Sequence, residues 1–250
     1  MPTDCAYRQE HLATILKEKT LSGKYVGTAD MTAFTDRFPR EPVIEVVKSV
    51  LGPEVAEAWT QVALERKFQV DSSDEYIKYS VGSPMGVYSS WAVTTFTLHA
   101  LVEYSAKEVG FNRFRGYLIL GDDVAIFDPS VYHRFLENIN ALGVQVSKVK
   151  STESRHSAEM AKRLFSQGSE VTGFPIGLLK EVKRRPAVIL EVFRTIQKLG
   201  YKPISVNSAL KLMDRTLSSK ASALISMPDF LGGCQASISD LASYEVKIED

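Results

Sequence analysis

Tyr117-Leu118-Ile119-Leu120-Gly121-Asp122-Asp123-Val124-Ala125-Ile126-Phe127 joins two short apolar runs through a Gly-Asp-Asp tripeptide. Two such runs around a tight turn predict a β-hairpin. Gly and Asp tolerate the left-handed backbone that hairpin turns demand. The stretch therefore places two adjacent carboxylates at a hairpin tip backed by a buried ribbon. Adjacent carboxylates on a rigid support suit Mg²⁺, which takes oxygen ligands and leaves room for substrate phosphates. Taken alone, the tripeptide reads more readily as an ordinary acidic turn, because such turns are common.

Two further stretches change its meaning. Upstream, Lys24-Tyr25-Val26-Gly27-Thr28-Ala29-Asp30 reads as a strand ending at Asp30, and Asp36-Arg37 follows in the loop before a helix. If this strand neighbours the hairpin, Asp30 faces Asp122 and Asp123. Three carboxylates around one point would hold two divalent ions about 3.5–4 Å apart, the arrangement used for in-line phosphoryl transfer. Between the two lies Val81-Gly82-Ser83-Pro84-Met85-Gly86-Val87-Tyr88-Ser89-Ser90-Trp91, leading into an apolar run from Ala92 to Lys107. Gly82 and Gly86 make a loop whose backbone can approach a ligand closely. The hydroxyls of Ser89, Ser90, Thr94 and Thr95 line the start of the helix that follows.

The order is carboxylate strand, glycine loop with hydroxyl helix, then Gly-Asp-Asp hairpin. It resembles motifs A, B and C of viral RNA-dependent RNA polymerases. The wording from Asp30 to Pro39, from Gly82 to Trp91 and from Leu120 to Asp123 is most similar to the mitovirus, narnavirus and botourmiavirus group. The resemblance covers positions 24 to 185. It implies Mg²⁺ or Mn²⁺ as cofactor, with an RNA template and product and ribonucleoside triphosphates as partners. Asp30, Asp122 and Asp123 match the family's metal-binding aspartates. Asp36 matches the second aspartate of motif A, expected near the ribose of the incoming nucleotide, with Arg37 beside it. Gly82 and Gly86 frame the loop expected to flex around the template, and Ser90 falls where the motif B hydroxyl is expected. Thr94 stands where many relatives have Asn, a departure that puts its part in sugar selection in doubt. Lys150 resembles the motif D lysine that protonates the leaving pyrophosphate, with Lys148 as the alternative on the same side of a strand.

Composition narrows the class. The 250 residues carry a formal net charge of zero, so bulk charge does not mark a nucleic-acid binder. Lysines and arginines nevertheless gather between Lys148 and Arg185, where a local basic face would track phosphates. Two cysteines, Cys5 and Cys234, stand far apart without a metal-ligand pattern. That spacing points to a reducing compartment and away from structural zinc. No run approaches the ~18 apolar residues of a membrane span. The expected location is inside a host cell, in the cytoplasm, or in the mitochondrion for a mitovirus-like protein. His99 lies inside the apolar helix and reads as a core residue, while His11, His133 and His156 show no partner pattern.

Periodicity predicts helices over 7–19, 41–50, 53–66, 86–108 and 129–141, with strands at 24–30, 67–70, 75–80 and 144–146. A hairpin is expected over 161–174, and helices over 175–183, 187–199 and 205–217. This is an α+β plan, an antiparallel sheet backed by helices, which the resemblance identifies with the polymerase palm. The expected division is a palm-like catalytic domain over 1–174 and a helical, thumb-like segment over 175–250. Only 29 residues precede Asp30, too few for the basic fingers of such polymerases. The expectation is a fragment of a longer polymerase, or a split subunit whose fingers come from a second polypeptide. Two other classes fit the same fold: a non-catalytic RNA-binding palm subunit, and another palm enzyme such as a reverse transcriptase or nucleotidyl cyclase.

Overall fold

The computed structural model describes residues 2–71, 73–173, 176–182, 184–185, 188, 191–192 and 194–195. The chain divides into two compact units, Met1–Val171 and Thr172–Asp250. In the first, α1 (Gln9–Leu21) leads into β1 (Val26–Thr32), followed by the single turn α2 (Phe34–Arg37) and the pair α3 (Arg40–Leu51) and α4 (Pro53–Ala63). A small ribbon of β2 (Lys67–Gln69) and β3 (Tyr76–Lys78) precedes the long α5 (Ser90–Glu108). The hairpin β4 (Tyr117–Leu120) and β5 (Asp123–Ile126), α6 (Pro129–Ala141), β6 (Gln145–Val146) and β7 (Thr152–Ser154) complete the central layer. A meander of β8 (Ser157–Met160), β9 (Arg163–Ser166) and β10 (Ser169–Glu170) closes the unit. In the second unit, α7 (Ile176–Val182) falls where a helix is expected. The helix expected over 205–217 and most of that over 187–199 lie outside the described residues.

The sheet is antiparallel and runs β4-β5-β1-β6, with β7 also on β1. β1 is its axis. β5 lies along one side, β7 pairs its first half and β6 its last two residues. Residues 3–5 cover the open edge of β4: Cys5 N donates to Ile119 O at 2.9 Å, and Ile119 N to Thr3 O at 2.9 Å. An edge strand so covered cannot template foreign strands.

Both faces of this sheet are buried, which is why its strands read as unbroken apolar runs rather than alternating ones. Tyr117, Ile119, Val124 and Ile126 join one core with Leu98 and Val102 of α5 and Val131, Phe135 and Ile139 of α6. Leu118 and Ala125 point the other way, into a second core with Leu12 and Leu16 of α1 and Met160 and Phe165 of the meander. Gly27 has no alternative at its place, since a Cβ there would meet the Tyr132 ring at 2.6 Å. Tyr132 in turn donates its hydroxyl to Thr28 O at 2.9 Å, tying α6 to β1. Asp128 caps α6, accepting from Ser130 N and Val131 N ahead of Pro129 at the first turn.

Three expectations change. α5 starts at Ser90, not 86, because Gly86 takes φ +88 and the next residues form a turn. The hairpin expected over 161–174 is the last part of the three-stranded meander, whose two turns both use left-handed residues: Ala161 and Lys162, then Gln167 and Gly168. Strands β7 and β8 are too short and too polar for their pattern to announce them.

Candidate active site

Asp30 sits inside β1, two residues before its end rather than at it. The register places it directly opposite Asp123, the first residue of β5. Opposed residues of an antiparallel pair bring their Cβ atoms to about 4.5–5.5 Å. Asp122 occupies the turn between β4 and β5, where Gly121 alone carries the left-handed backbone, at φ +65. Gly121 is also pressed by Trp91, whose Nε1 would lie 3.1 Å from an added Cβ. All three carboxylates line one cleft of about 450 Å³, together with Ser147, Lys150 and the Ala161-Lys162 turn.

Lys150 and Lys148 do not share a strand. Both lie in the turn after β6, so the same-side argument for them fails. This turn wraps over Asp30: Ser147 N donates to Asp30 O at 2.9 Å, and Asp30 N donates to Ser151 Oγ at 3.1 Å. Ser151 N closes the turn on Ser147 O at 2.9 Å. Lys150 is thereby delivered to the cleft, its Nζ 3.4 Å from Asp30 Oδ2, while Lys148 lines no part of it. Of the two lysines, Lys150 is the one that lines the cleft, and Ser147 and Ser151, which the sequence reading passed over, hold the turn that carries it.

The cleft is electrostatically tense. Burial, then the negative charges of Asp122 and Asp30, push the Asp123 carboxyl up to about 6, with Lys150 acting in the opposite direction. Like charges held this close disfavour full ionisation unless a cation joins them. The donors are all carboxylate oxygens, the chemistry of a hard divalent ion. The residues therefore fit Mg²⁺ or Mn²⁺. Among the described residues, no three His, Cys, Asp or Glu side chains converge as a ready cage.

Other expected site residues lie apart from this cleft. Asp36 and Arg37 line a different cavity of about 460 Å³, shared with Arg40. The Tyr79 hydroxyl lies 3.5 Å from Asp36 Oδ1. Gly82, at φ +77, is held against the chain itself, since an added Cβ would meet Asp36 O at 2.4 Å. Ser83 N donates to Thr35 O at 2.7 Å across the same contact. The glycine loop thus packs on α2. At Gly86, nothing lies within 4 Å of an added Cβ. Ser90 and Thr94 are buried and turned to backbone: Thr94 Oγ1 donates to Ser90 O at 2.6 Å, and Ser90 Oγ to Pro84 O at 3.4 Å.

Of the histidines, His99 is a core residue as expected, with Nδ1 3.2 Å from the Tyr117 hydroxyl and burial lowering its pKa. His133 has the partner its sequence context did not show, Glu153, at 2.9 Å.

Residues 1–230 match the family model described as mitovirus RNA-dependent RNA polymerase. The chain is 34% identical over 136 residues to the RNA-directed RNA polymerase of Cryphonectria parasitica mitovirus 1, covering 54% of this chain and 16% of that protein. It is 28% identical over 173 residues to an uncharacterized mitochondrial protein of Arabidopsis thaliana, covering 66% of this chain and 68% of that one. Among solved structures, the RNA-dependent RNA polymerase of a human picobirnavirus superposes with a TM-score of 0.65 at 16% identity, over 92% of this chain and 49% of that chain. A telomerase from Candida albicans follows the same path with a TM-score of 0.54 at 11% identity, over 89% of this chain and 44% of that one. Identities this low show the fold alone, and that fold is the polymerase palm. The chain thus spans about a sixth of the mitovirus polymerase and about half of the picobirnavirus one. With the family model matched across 230 of the 250 residues, the chain belongs to the mitovirus RNA-dependent RNA polymerase family.

Proposed function

We propose that this chain is the palm of an enzyme that makes RNA on an RNA template by two-metal nucleotidyl transfer. The observation that carries this reading is the direct pairing of Asp30 with Asp123 beside Asp122, in one cleft with Lys150. Asp30 and Asp122 would hold the divalent ions, with Asp123 as the supporting carboxylate. When bound, such ions neutralise the triphosphate and make the attacking 3′-hydroxyl more acidic. Lys150 would hand a proton to the leaving pyrophosphate oxygen, leaving its ion pair with Asp30 as the ions arrive. General acid catalysis of this kind contributes about 10²–10⁴-fold. Asp36 and Arg37, exposed on the neighbouring cavity, would meet the ribose and phosphates of the incoming nucleotide. Gly82 and Gly86 shape the template loop, Ser90 braces it through Pro84 O, and Thr94 bonds back onto Ser90 within α5.

The side-chain cations of the cleft among the described residues are Lys150 and Lys162. Triphosphate positioning relies on a fuller set of cations. We therefore assign that task to a fingers-bearing segment, in a longer polypeptide or in a separate one. The Arabidopsis relative is named as mitochondrial, which supports a mitochondrial setting for this chain. Among the described residues no helix is long and apolar enough to cross a membrane.

The test is template-directed extension with Mg²⁺ and the four ribonucleotides, run with the chain alone and with a fingers-bearing segment supplied. Synthesis is expected in the second case and near-background incorporation in the first. Robust synthesis by the chain alone would remove the need for a partner segment. Extension with deoxynucleotides in preference to ribonucleotides would overturn the assignment to RNA synthesis.

A further inference from the structure

A cavity of about 310 Å³ opens at the other end of the β4–β5 hairpin, and it shares no lining residue with the carboxylate cleft. Along β4 alone the two are separated by roughly 10 Å of strand. His11, Ile15 and Lys19 face it from α1 at four-residue spacing, one stripe of that helix. Arg115, just before β4, and Phe127, just after β5, close it from the sheet side. Three of these five side chains are basic, and among the described residues no carboxylate lines the cavity.

Lys19 makes the arrangement informative. It is half-buried, with its Nζ 4.9 Å from the centroid of the Phe127 ring. Among the described residues it forms no ion pair with a carboxylate. Three other partly buried cations do: Arg40 with Glu65, Arg134 with Glu108 and Arg163 with Glu170. Arg115 has one distant partner, Glu103 at 3.7 Å from one arm, so most of its fork remains to be engaged. A partly desolvated ammonium without a counter-charge is costly, and an anion in the cavity would relieve that cost. A guanidinium fork beside a point-charge ammonium is well matched to phosphate. The apolar side is a flat ring and a branched aliphatic chain, the type of surface on which a base or ribose packs. A volume of this size is that of a small-molecule site.

We propose that this cavity binds a phosphate-bearing ligand of nucleotide type. Arg115 and Lys19 hold the phosphate, with His11 at the rim, and the nucleoside lies along Ile15 and Phe127. The ligand is either a free nucleotide or one nucleotide unit of an RNA strand. The inference does not depend on the carboxylate cleft being catalytic, because it rests on different residues.

The experiment titrates the full chain by calorimetry with inorganic phosphate, with adenosine 5′-monophosphate and with a short single-stranded oligoribonucleotide. The same titrations are run on a double variant, Lys19→Gln with Arg115→Gln. Phosphate and the mononucleotide are expected to bind the chain and to lose about tenfold or more in affinity in the double variant, as charge-assisted bonds to phosphate require. The oligonucleotide separates the two sources. If the strand is the ligand, its log affinity falls with log salt and the double variant flattens that slope. If a free nucleotide is the ligand, the oligonucleotide fails to displace it. Phe127→Leu guards against a double variant that misfolds: it should weaken the mononucleotide and leave inorganic phosphate unchanged. Equal affinities in chain and variants, or no binding of phosphate and mononucleotide at all, would overturn the proposal. So would an acidic peptide that binds here when neither phosphate ligand does.

Discussion

Two glycine-governed loops converge near the end of the sheet, and their polar groups behave in opposite ways. In the β4–β5 turn the carboxylates are crowded and only partly compensated: Asp123 is pushed up to about 6 by burial and by Asp122 and Asp30, against the Ala161 backbone and Lys150. Around the Gly82–Gly86 loop and the start of α5, polar groups bond within the fold. Ser83 N bonds Thr35 O, Ser90 Oγ bonds Pro84 O, Thr94 Oγ1 bonds Ser90 O, and Trp59 Nε1 bonds Ser89 Oγ at 2.7 Å. A satisfied hydroxyl holds the scaffold in shape. An unsatisfied cluster of charge is tolerated only where something else will arrive to complete it. In the proposed reading the turn is the chemical part of the site and the loop its frame.

The sharpest way to break that contrast is to remove one polar group from each. Asp122→Asn keeps the shape but deletes charge that a hard cation needs. Extension in a reconstituted polymerase is expected to fall by about 10³-fold or more, the several kcal/mol of charge stabilisation that a metal site supplies. Ser90→Ala, by contrast, removes one hydrogen bond within the frame and should cost about tenfold or less. A melting curve confirms that both variants fold. Comparable losses in the two would erase the distinction between chemistry and frame.

Lys150 tests the same contrast from the other side of the cleft. Lys150→Ala should lose about 10²–10⁴-fold in extension rate and should flatten the alkaline limb of the pH–rate profile, since the variant has no acid to deprotonate there. Lys148→Ala should change little, because that side chain lines no part of the cleft. A pH–rate profile for each variant checks this. If Lys148→Ala flattened the alkaline limb instead, the roles would be exchanged.

The hairpin, α6 and the helices around the sheet were legible because their signals are local. Apolar runs bounded by Gly-Asp-Asp, and Asp128-Pro129 at a helix start, state their structure in a few residues. The juxtaposition of Asp30 with Asp123 was legible only through the family resemblance, since no local rule fixes which strands pair. Three things escaped. β7 is held by pairing with β1 and not by its own polar sequence. The Ala161-Lys162 turn takes left-handed backbone without glycine to announce it. The turn that delivers Lys150 depends on Ser147 and Ser151 bonding the backbone of Asp30, ordinary residues whose role exists only once β1 is beside them. Asp36, expected near the ribose and in a loop before a helix, instead lies in the single turn α2, on a cavity separate from the carboxylate cleft.

The frame can be tested by stability alone. Gly82→Ala forces a side chain into left-handed backbone and into the Asp36 carbonyl, with no flexible neighbour to yield. It should cost about 2–4 kcal/mol in denaturant unfolding. Gly86→Ala meets the same backbone strain, at φ +88, but open space. It should cost only about 1 kcal/mol. Equal penalties would mean that strain alone, and not contact with α2, makes Gly82 necessary.

The smallest effect concerns the unsatisfied charge itself. The Asp123 carboxyl rises from its ordinary 3.8 to about 6 in the folded chain, chiefly through burial. The folded state therefore holds this proton more tightly than the unfolded one. The stability this contributes is fully present below about pH 4 and is lost as pH rises through about 6, where the buried charge must form. The full shift converts to about 3 kcal/mol. Water screening at this partly exposed group brings the observable to about 1–2 kcal/mol. Asp123→Asn should then be more stable than the wild-type chain at pH 7 in metal-free buffer, and its advantage should shrink to nothing below about pH 4. Added Mg²⁺ should narrow the gap at pH 7 by stabilising the wild-type chain, since a ligand that binds only the folded state raises its stability by mass action. Unfolding curves at pH 4 and pH 7, with and without the ion, give all four values. An advantage for Asn that persists at low pH would point to packing rather than charge, and would remove the tension between the turn and its frame.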